Sequence, residues 1–418
     1  MATMEIESEG MLSPYRVLDL TDNKGWVCGK LLGDLGADVI KIEPPGGDPG
    51  RNIGPFYRDE IDPNKSLYWF ACNTSKRSIT LNLEKQEGTA IFMKLLAGAD
   101  FVLESFAPGY LDKLGLGYTD IEKINPCTIM VSITPFGQTG PYRDWKSADN
   151  VLWALGGVTL HWGDQDRAPS WIDHHPQTNF QAGAEGAAAA LMALYQRHIS
   201  GEGQHIDFSM QEMATRGANL FLCAWDILKV NQKRGAQIGQ SVRTRRIWQC
   251  KDGYVIWMFM TGPQSRRTNS PFIDWIDSAG MANDFVKEFQ WETFDLRTIT
   301  QDTIDRIYEV TDRFFMTHTK AELLDGAVKR RIMLYPIATT KDVVENVQLE
   351  SRQFMQPVTH PELNTTIIYP GSFVKASLMP LKINRRPPLI GEHNQEILGE
   401  ELGIPSAEIQ ILKQKGVI

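Results

Sequence analysis

Residues 16–43 read RVLDLTDNKGWVCGKLLGDLGADVIKIE. The first six, RVLDLT, form a short apolar run of strand length. GWVCGKLLGDLG places apolar residues at helical spacing and stops at Gly36, and ADVIKIE is a second strand run ended by Pro44 and Pro45. Strand, helix and strand in so short a stretch make a βαβ unit, whose two strands are parallel and joined by a right-handed crossover.

The same rhythm continues downstream. SITLNL (78–83), DFVLESF (100–106), TIMVSIT (128–134) and GQHIDFSM (203–210) read as further strands, and EGTAIFMKLLAG (87–98) reads as a helix. Strands this apolar are buried on both faces, so the expected fold class is α/β with a parallel sheet covered by helices. A slim helix is expected over about 180–198, where Ala182, Gly183, Gly186 and Ala187 to Ala190 let another backbone approach closely. It opens at QTNFQAGAEG (177–186), where Thr178 or Asn179 is expected to cap it. A long helical stretch near 210–230 and a basic, linker-like segment at 231–250 follow. Beyond them IWQCKDGYVIWMFM is a hairpin turning at Asp252-Gly253, the start of a smaller α+β domain. Near the end, Pro405 and Ser406 start a last helix.

Composition narrows the function. A chain of 418 residues with 42% apolar and 22% charged residues is an ordinary globular protein, long enough for two domains. A net charge of -8 argues against nucleic acid or an anionic membrane as the main partner. The acidic start MATMEIESEG is no signal peptide, and no run reaches the ~18 apolar residues of a membrane span, so a cytoplasmic location is expected. Cys28, Cys72, Cys127, Cys223 and Cys250 are scattered and form no CxxC pair, so buried free thiols are expected.

Familiar motifs are missing. Gly25, Gly29, Gly33 and Gly36 do not make GxGxxG, which removes the dinucleotide reading of Glu43. The adjacent His174 and His175 have no metal-ligand spacing, and there is no GxSxG elbow or P-loop. A metal site is therefore not expected. The loops after the strands are more informative, because ligands of open α/β sheets collect at the carboxyl ends. They bring Arg51, Lys113 and Lys146 to that edge, which suits a phosphorylated, elongated ligand.

Seven ordered blocks, LLGDLGADVIKIEPPGGDPGR, NTSKRSITLNL, ADFVLESFAPGYLDKLGLGY, INPCTIMVSITPFGQTGPYRDW, LYQRHISGEGQHIDFSMQE, KDGYVIWM and PPLIGEHNQEIL, resemble the class III CoA-transferases. That family includes formyl-CoA, carnitine-CoA and benzylsuccinate-CoA transferases and related acyl-CoA racemases. The resemblance implies a Rossmann-like large domain built from both chain ends, a smaller domain, and two chains interlocked as a dimer. In this chain the division would be 1–225, a linker and small domain at 226–340, and a return segment at 341–418. It implies a coenzyme A thioester as substrate and no permanently bound cofactor. The adenine and ribose of CoA would lie against Leu81, Asn82 and Leu83. Lys113, beside Leu114, and Lys146 would meet phosphates, and Ser105 to Ala107 would line the pantetheine path.

The family's nucleophile is an aspartate at the start of the slim helix, four residues before a glycine and 25 before a glutamine; counted back from Gly183 and Gln204, both intervals end on Asn179. An amide keeps the shape of aspartate but has no anionic oxygen to attack a thioester. The reading this favours is a chain whose catalytic carboxylate comes from a homologous partner. Such heteromers include the benzylsuccinate CoA-transferase of anaerobic toluene degradation, which moves CoA from succinyl-CoA to (R)-2-benzylsuccinate. The alternatives are a self-sufficient transferase or racemase using Asp173 or Glu185, and a non-enzymatic CoA-binding regulator. Further departures fall on the CoA contacts: Trp26 stands at a usual proline, Pro44 at an arginine, and Ala107 at a basic residue or glycine.

Overall fold

Six strands form one parallel sheet: β1 (Arg16–Asp19), β2 (Asp38–Glu43), β3 (Lys76–Thr80), β4 (Phe101–Glu104), β5 (Ile129–Thr134) and β6 (His205–Ser209). Their order is β3-β2-β1-β4-β5-β6. The order reverses between β1 and β4, so the chain leaves the sheet in opposite directions there and opens a crevice at the carboxyl ends. This is a computed structural model, and it describes residues 10–163, 167–171, 176–231, 234, 242–379 and 381–418.

The period-two alternation of the strands divides two cores. On one face Leu18, Ile40, Ile79 and Val102 pack with Ile91, Phe92 and Leu95 and with Ile397, Leu398, Leu412 and Val417 from the end of the chain. On the other, Val17, Val39, Phe101 and Val131 pack with Leu32 and with Ala182, Ala187 and Ala190. Each fully buried large side chain contributes about 1.5–3 kcal/mol relative to exposure.

The covering helices include α1 (Trp26–Asp34), α2 (Leu67–Cys72), α3 (Gln86–Leu96), α4 (Tyr110–Lys113), α5 (Tyr118–Ile124), α6 (Asp149–Leu155) and α7 (Gln177–Ser200). Helix α7 is the slim helix, and its small residues serve contact with α1. A Cβ on Gly183 would lie 2.6 Å from the Cβ of Val27 and 2.9 Å from the Cys28 nitrogen.

The chain divides into two compact units, one of Met1–Val158, Ile172–Ala218 and Gln348–Ile418, the other of Thr159–Trp171 and Asn219–Val347. In the first, the return segment adds helices and its own antiparallel hairpin (Met355–His360 with Thr365–Pro370), while every strand of the parallel sheet lies within 16–209. The Asn82 amide donates to Val417 O at 2.7 Å, and Arg77 pairs with Glu396 at 2.7 Å and with Glu401. The second unit contains the expected hairpin, with Cys250 paired to Gly253, joined by Tyr335–Pro336. Trp248, Trp257, Phe272 and Phe314 fill its core.

Two expectations are corrected. The stretch near 210–230 is two helices, Met210–Arg216 and Asn219–Leu228, the first ending at its C-cap Gly217, a poor helix former. All five cysteines are free, but Cys127 and Cys223 are exposed, one in the loop before β5 and the other on the second of those helices. Among the described residues no helix is long and apolar enough to cross a membrane.

Candidate active site

The crevice at the switch point is closed by two loops, Thr21–Gly25 after β1 and Ser105–Gly109 after β4. The Asp22 amide donates to Ser105 Oγ at 2.8 Å, and Ser105 Oγ donates to Asp22 Oδ1 at 2.8 Å. Lys24 pairs with the other oxygen of Asp22. The next side chain, Asn23, hydrogen-bonds to the Tyr68 hydroxyl on α2, and so does Asn179 on α7. Burial pushes the Tyr68 hydroxyl well above its usual range, so it stays protonated. Asn179 is 7% exposed, and its neutral amide fits this neutral setting.

The capping expectation at α7 is wrong in detail. The helix starts at Gln177 after Pro176, no side chain of its own caps it, and Thr178 and Asn179 lie inside its first turn. The acceptor comes from outside: Asp149 Oδ1 takes Thr178 N and Thr178 Oγ1, both at 2.7 Å. A carboxylate at the positive end of a helix is also favoured by the dipole.

The carboxyl ends of β1 and β2, at Asp19 and Glu43, are closed by buried charge pairs. Lys76 Nζ meets Asp19 Oδ2 at 2.7 Å, Trp26 O at 2.8 Å and Asn73 Oδ1 at 2.9 Å. Burial pushes the Asp19 carboxyl up, but Lys76 and Lys41 outweigh it and hold it below the ordinary range. Arg51, expected to face a phosphate, is turned inward. Its guanidinium grips Glu43 at 2.6 and 2.7 Å, donates to Pro388 O at 3.0 Å and lies 3.6 Å over the Trp69 ring. Its donors are committed to the fold.

The remaining sequence-predicted residues fall in three places. Leu81 and Leu83 are core side chains, which leaves half-buried Asn82 as the polar feature of that strand end. Tyr110 Oη donates to Glu84 Oε1 at 3.1 Å, tying this end to the loop after β4, where Ser105 is buried, Ala107 and Lys113 are exposed and Leu114 packs on the core. Lys146 is exposed three residues before Asp149, beside the stacked rings of Tyr142 and Trp145 at 3.9 Å. Of the alternative carboxylates, Asp173 lies outside the described residues, as do His174 and His175. Glu185 is paired with Arg216 at 2.7 Å and bonded to Gln181, away from Asn179's partners.

Across β4 and β5 is a cavity of about 200 Å³ lined by Glu104, Ala107, Tyr118, Ser132, Gln138 and His205, among others. Ser132 Oγ lies 2.9 Å from His205 Nε2 and also bonds to Glu104. Burial pushes the Glu104 carboxyl up to about 7.

A family model described as CoA-transferase family III matches residues 12–394. The chain belongs to CoA-transferase family III. Its relatives in this family include the succinyl-CoA:(R)-benzylsuccinate CoA-transferase subunit BbsE of Thauera aromatica, 32% identical over 97% of this chain and 98% of that one. The succinyl-CoA–L-malate CoA-transferase beta subunit of Chloroflexus aurantiacus is 30% identical over 94% of each chain. The crystal structure of a CAIB/BAIF family protein from Brucella suis superimposes with a TM-score of 0.80 at 28% identity, covering 93% of this chain and 98% of that one. Relatives in family III are named for succinyl-CoA and formyl-CoA, so they act on CoA thioesters. Among the described residues no three His, Cys, Asp or Glu side chains are grouped so as to hold a metal ion.

Sequence reading of this family III chain missed Asp22, Asn23, Tyr68, Glu104, Ser132, Asp149 and His205. Asp22 and Asn23 follow a strand and were open to the loop argument already applied to Lys113. Tyr68, in the apolar run LYWFAC, carries no such signal.

Proposed function

We propose that this chain is the nucleophile-lacking subunit of a heteromeric class III CoA-transferase. The observation that carries the reading is the amide at Asn179, buried in the first turn of α7 and hydrogen-bonded to Tyr68. It stands four residues before Gly183 and 25 before Gln204, where the resemblance places an aspartate. In the reaction so implied, a carboxylate attacks the donor thioester to give a mixed anhydride and free CoA. The CoA thiolate then attacks the aspartyl carbonyl of the anhydride, giving an aspartyl-CoA thioester and releasing the donor acid as its carboxylate, and the acceptor acid takes the CoA by the reverse steps. A neutral amide performs none of these attacks, and Glu185 is held by Arg216.

A homologous partner bearing the aspartate therefore supplies the chemistry, and an interlocked pair is the proposed assembly. Met192, Tyr195 and Ile199, spaced i, i+3 and i+7 on α7, stand 66–71% exposed and suit such a partner. The proposed donor is succinyl-CoA and the proposed acceptor is (R)-2-benzylsuccinate. Support for that choice is the likeness to the BbsE subunit over nearly the whole chain.

The test is CoA transfer from succinyl-CoA by the purified chain, alone and mixed with an aspartate-bearing homologue. Activity should require the mixture, and full activity of the isolated chain overturns the proposal. Running (R)-benzylsuccinate against L-malate as acceptor tests the substrate separately.

A further inference from the structure

The loop that closes the crevice from the β4 side is anchored by a single carboxyl. Glu104 ends β4, is 4% exposed, and its Oε2 accepts the Phe106 amide at 2.7 Å, bending the chain through Ser105. Ser105 in turn holds Asp22 across the switch point. The other bonds of Glu104 go to uncharged groups, the Ser132 hydroxyl and, at 3.5 Å, Gln138 Nε2.

Through Ser132 the carboxyl is one hydroxyl away from the His205 ring, which stacks on Tyr118 at 5.5 Å. The charged groups around it are few. Lys24 and Asp22 face it from the loop after β1 and act in opposite senses. Asp207 on β6 and Asp112 on α4 act on His205, which burial nonetheless holds below its usual range. Tyr118 lines the far side of the cavity.

We propose that Glu104 is a positioning residue whose carboxyl, linked through Ser132 to His205, holds the Ser105–Ala107 segment in a proton-dependent way, so that this crevice grips a CoA thioester more tightly as pH rises through neutrality. An ionised carboxylate makes a shorter and stronger bond to a backbone amide than a protonated one. Burial opposes ionisation, which moves the switch from the ordinary carboxylate range to about 7. His205 and Ser132 give the proton an exit from a closed site. Only the last step, the grip on the thioester, rests on the CoA-binding reading of this segment.

The test follows amide hydrogen exchange of the loop amides Ser105–Gly109 in the full chain from pH 6 to 8, corrected for the intrinsic pH dependence of exchange and read relative to the amides of β1, which report the global stability that falls as Glu104 ionises. Protection should rise about threefold to tenfold with an inflection near neutrality. Glu104→Gln should give a flat profile. Ser132→Ala, a gentler change, should move the inflection to higher pH, because the carboxylate loses a donor. A native profile without inflection, or one unchanged by both variants, overturns the proposal.

Binding of coenzyme A, read as the difference between native and Glu104→Gln chains so that the ligand's own phosphate titration cancels, should tighten about threefold across the same range. An inflection in exchange with pH-independent binding overturns the coupling to ligand. An inflection with no binding at any pH refutes the CoA-binding reading while supporting the positioning role of Glu104.

Discussion

The carboxyl edge of the sheet is built in two different ways. On the β1-β2-β3 side each buried charge has a charged partner: Asp19 with Lys76 and Lys41, Glu43 with Arg51. On the β4-β5 side Glu104 is as deeply buried, but its hydrogen-bond partners are a backbone amide, a hydroxyl and a side-chain amide beside a cavity. Paired buried charges fix architecture and leave no free chemistry, whereas an unpaired buried carboxyl retains a proton equilibrium within reach of the physiological range. A charge at a strand's carboxyl end is thus a candidate ligand group only when the fold has not already spent it.

The sharpest way to break the contrast is on the closed side. Lys76→Met leaves Asp19 buried without its nearest cation and should cost about 3–5 kcal/mol, read as a lower urea midpoint. The two sides should also respond to pH in opposite directions. Asp19 has a folded pKa below its unfolded 3.8, so its stabilisation is present above that value and is lost as pH falls below it. Glu104 has a folded pKa of about 7 against 4.5 unfolded, so its contribution is full below 4.5 and is lost as pH rises through 7. That loss should be about 3 kcal/mol between pH 4.5 and 8, and Glu104→Gln should flatten the alkaline side alone in urea titrations at each pH.

Smaller changes sharpen the comparison at α7. Asp149→Ala removes the acceptor for Thr178 and should cost about 1–2 kcal/mol, measurable as a shift in urea midpoint. Glu185→Gln breaks only a solvent-screened pair with Arg216 and should change the midpoint by less than about 1 kcal/mol. It should also leave activity of the mixed subunits intact, and loss of that activity would restore Glu185 as a substitute carboxylate.

Much of the fold is legible in the sequence because its signals are local. The six strands are apolar runs bounded by glycine, proline or polar turns, and each lies within two or three residues of its expected place, β3 being the furthest off at Lys76–Thr80 against the expected 78–83. The slim helix and the Asp252-Gly253 hairpin follow from composition and turn chemistry over fewer than thirty residues. The site is less legible because its contacts are distant in sequence. Asp149 meets Thr178 across 29 positions, and Arg51 reaches Pro388 across 337. Sequence placed Arg51 at the correct edge but showed nothing of Glu43 and Trp69 beneath it. Thr178 and Asn179 looked like caps because they are good ones, and only the folded chain shows that Asp149 fills that role.

The return segment has a consequence for synthesis on the ribosome. Ser75, Arg77 and Asn82 sit on or beside β3, yet each is completed by a residue between Arg385 and Val417, which emerges only after the second unit has been made. At a synthesis rate of about 5–20 residues per second the intervening ~130 residues take on the order of ten seconds. Throughout that interval the outer face of the sheet lacks Ile397, Leu398 and Leu412, so the first unit to be translated is the last to close.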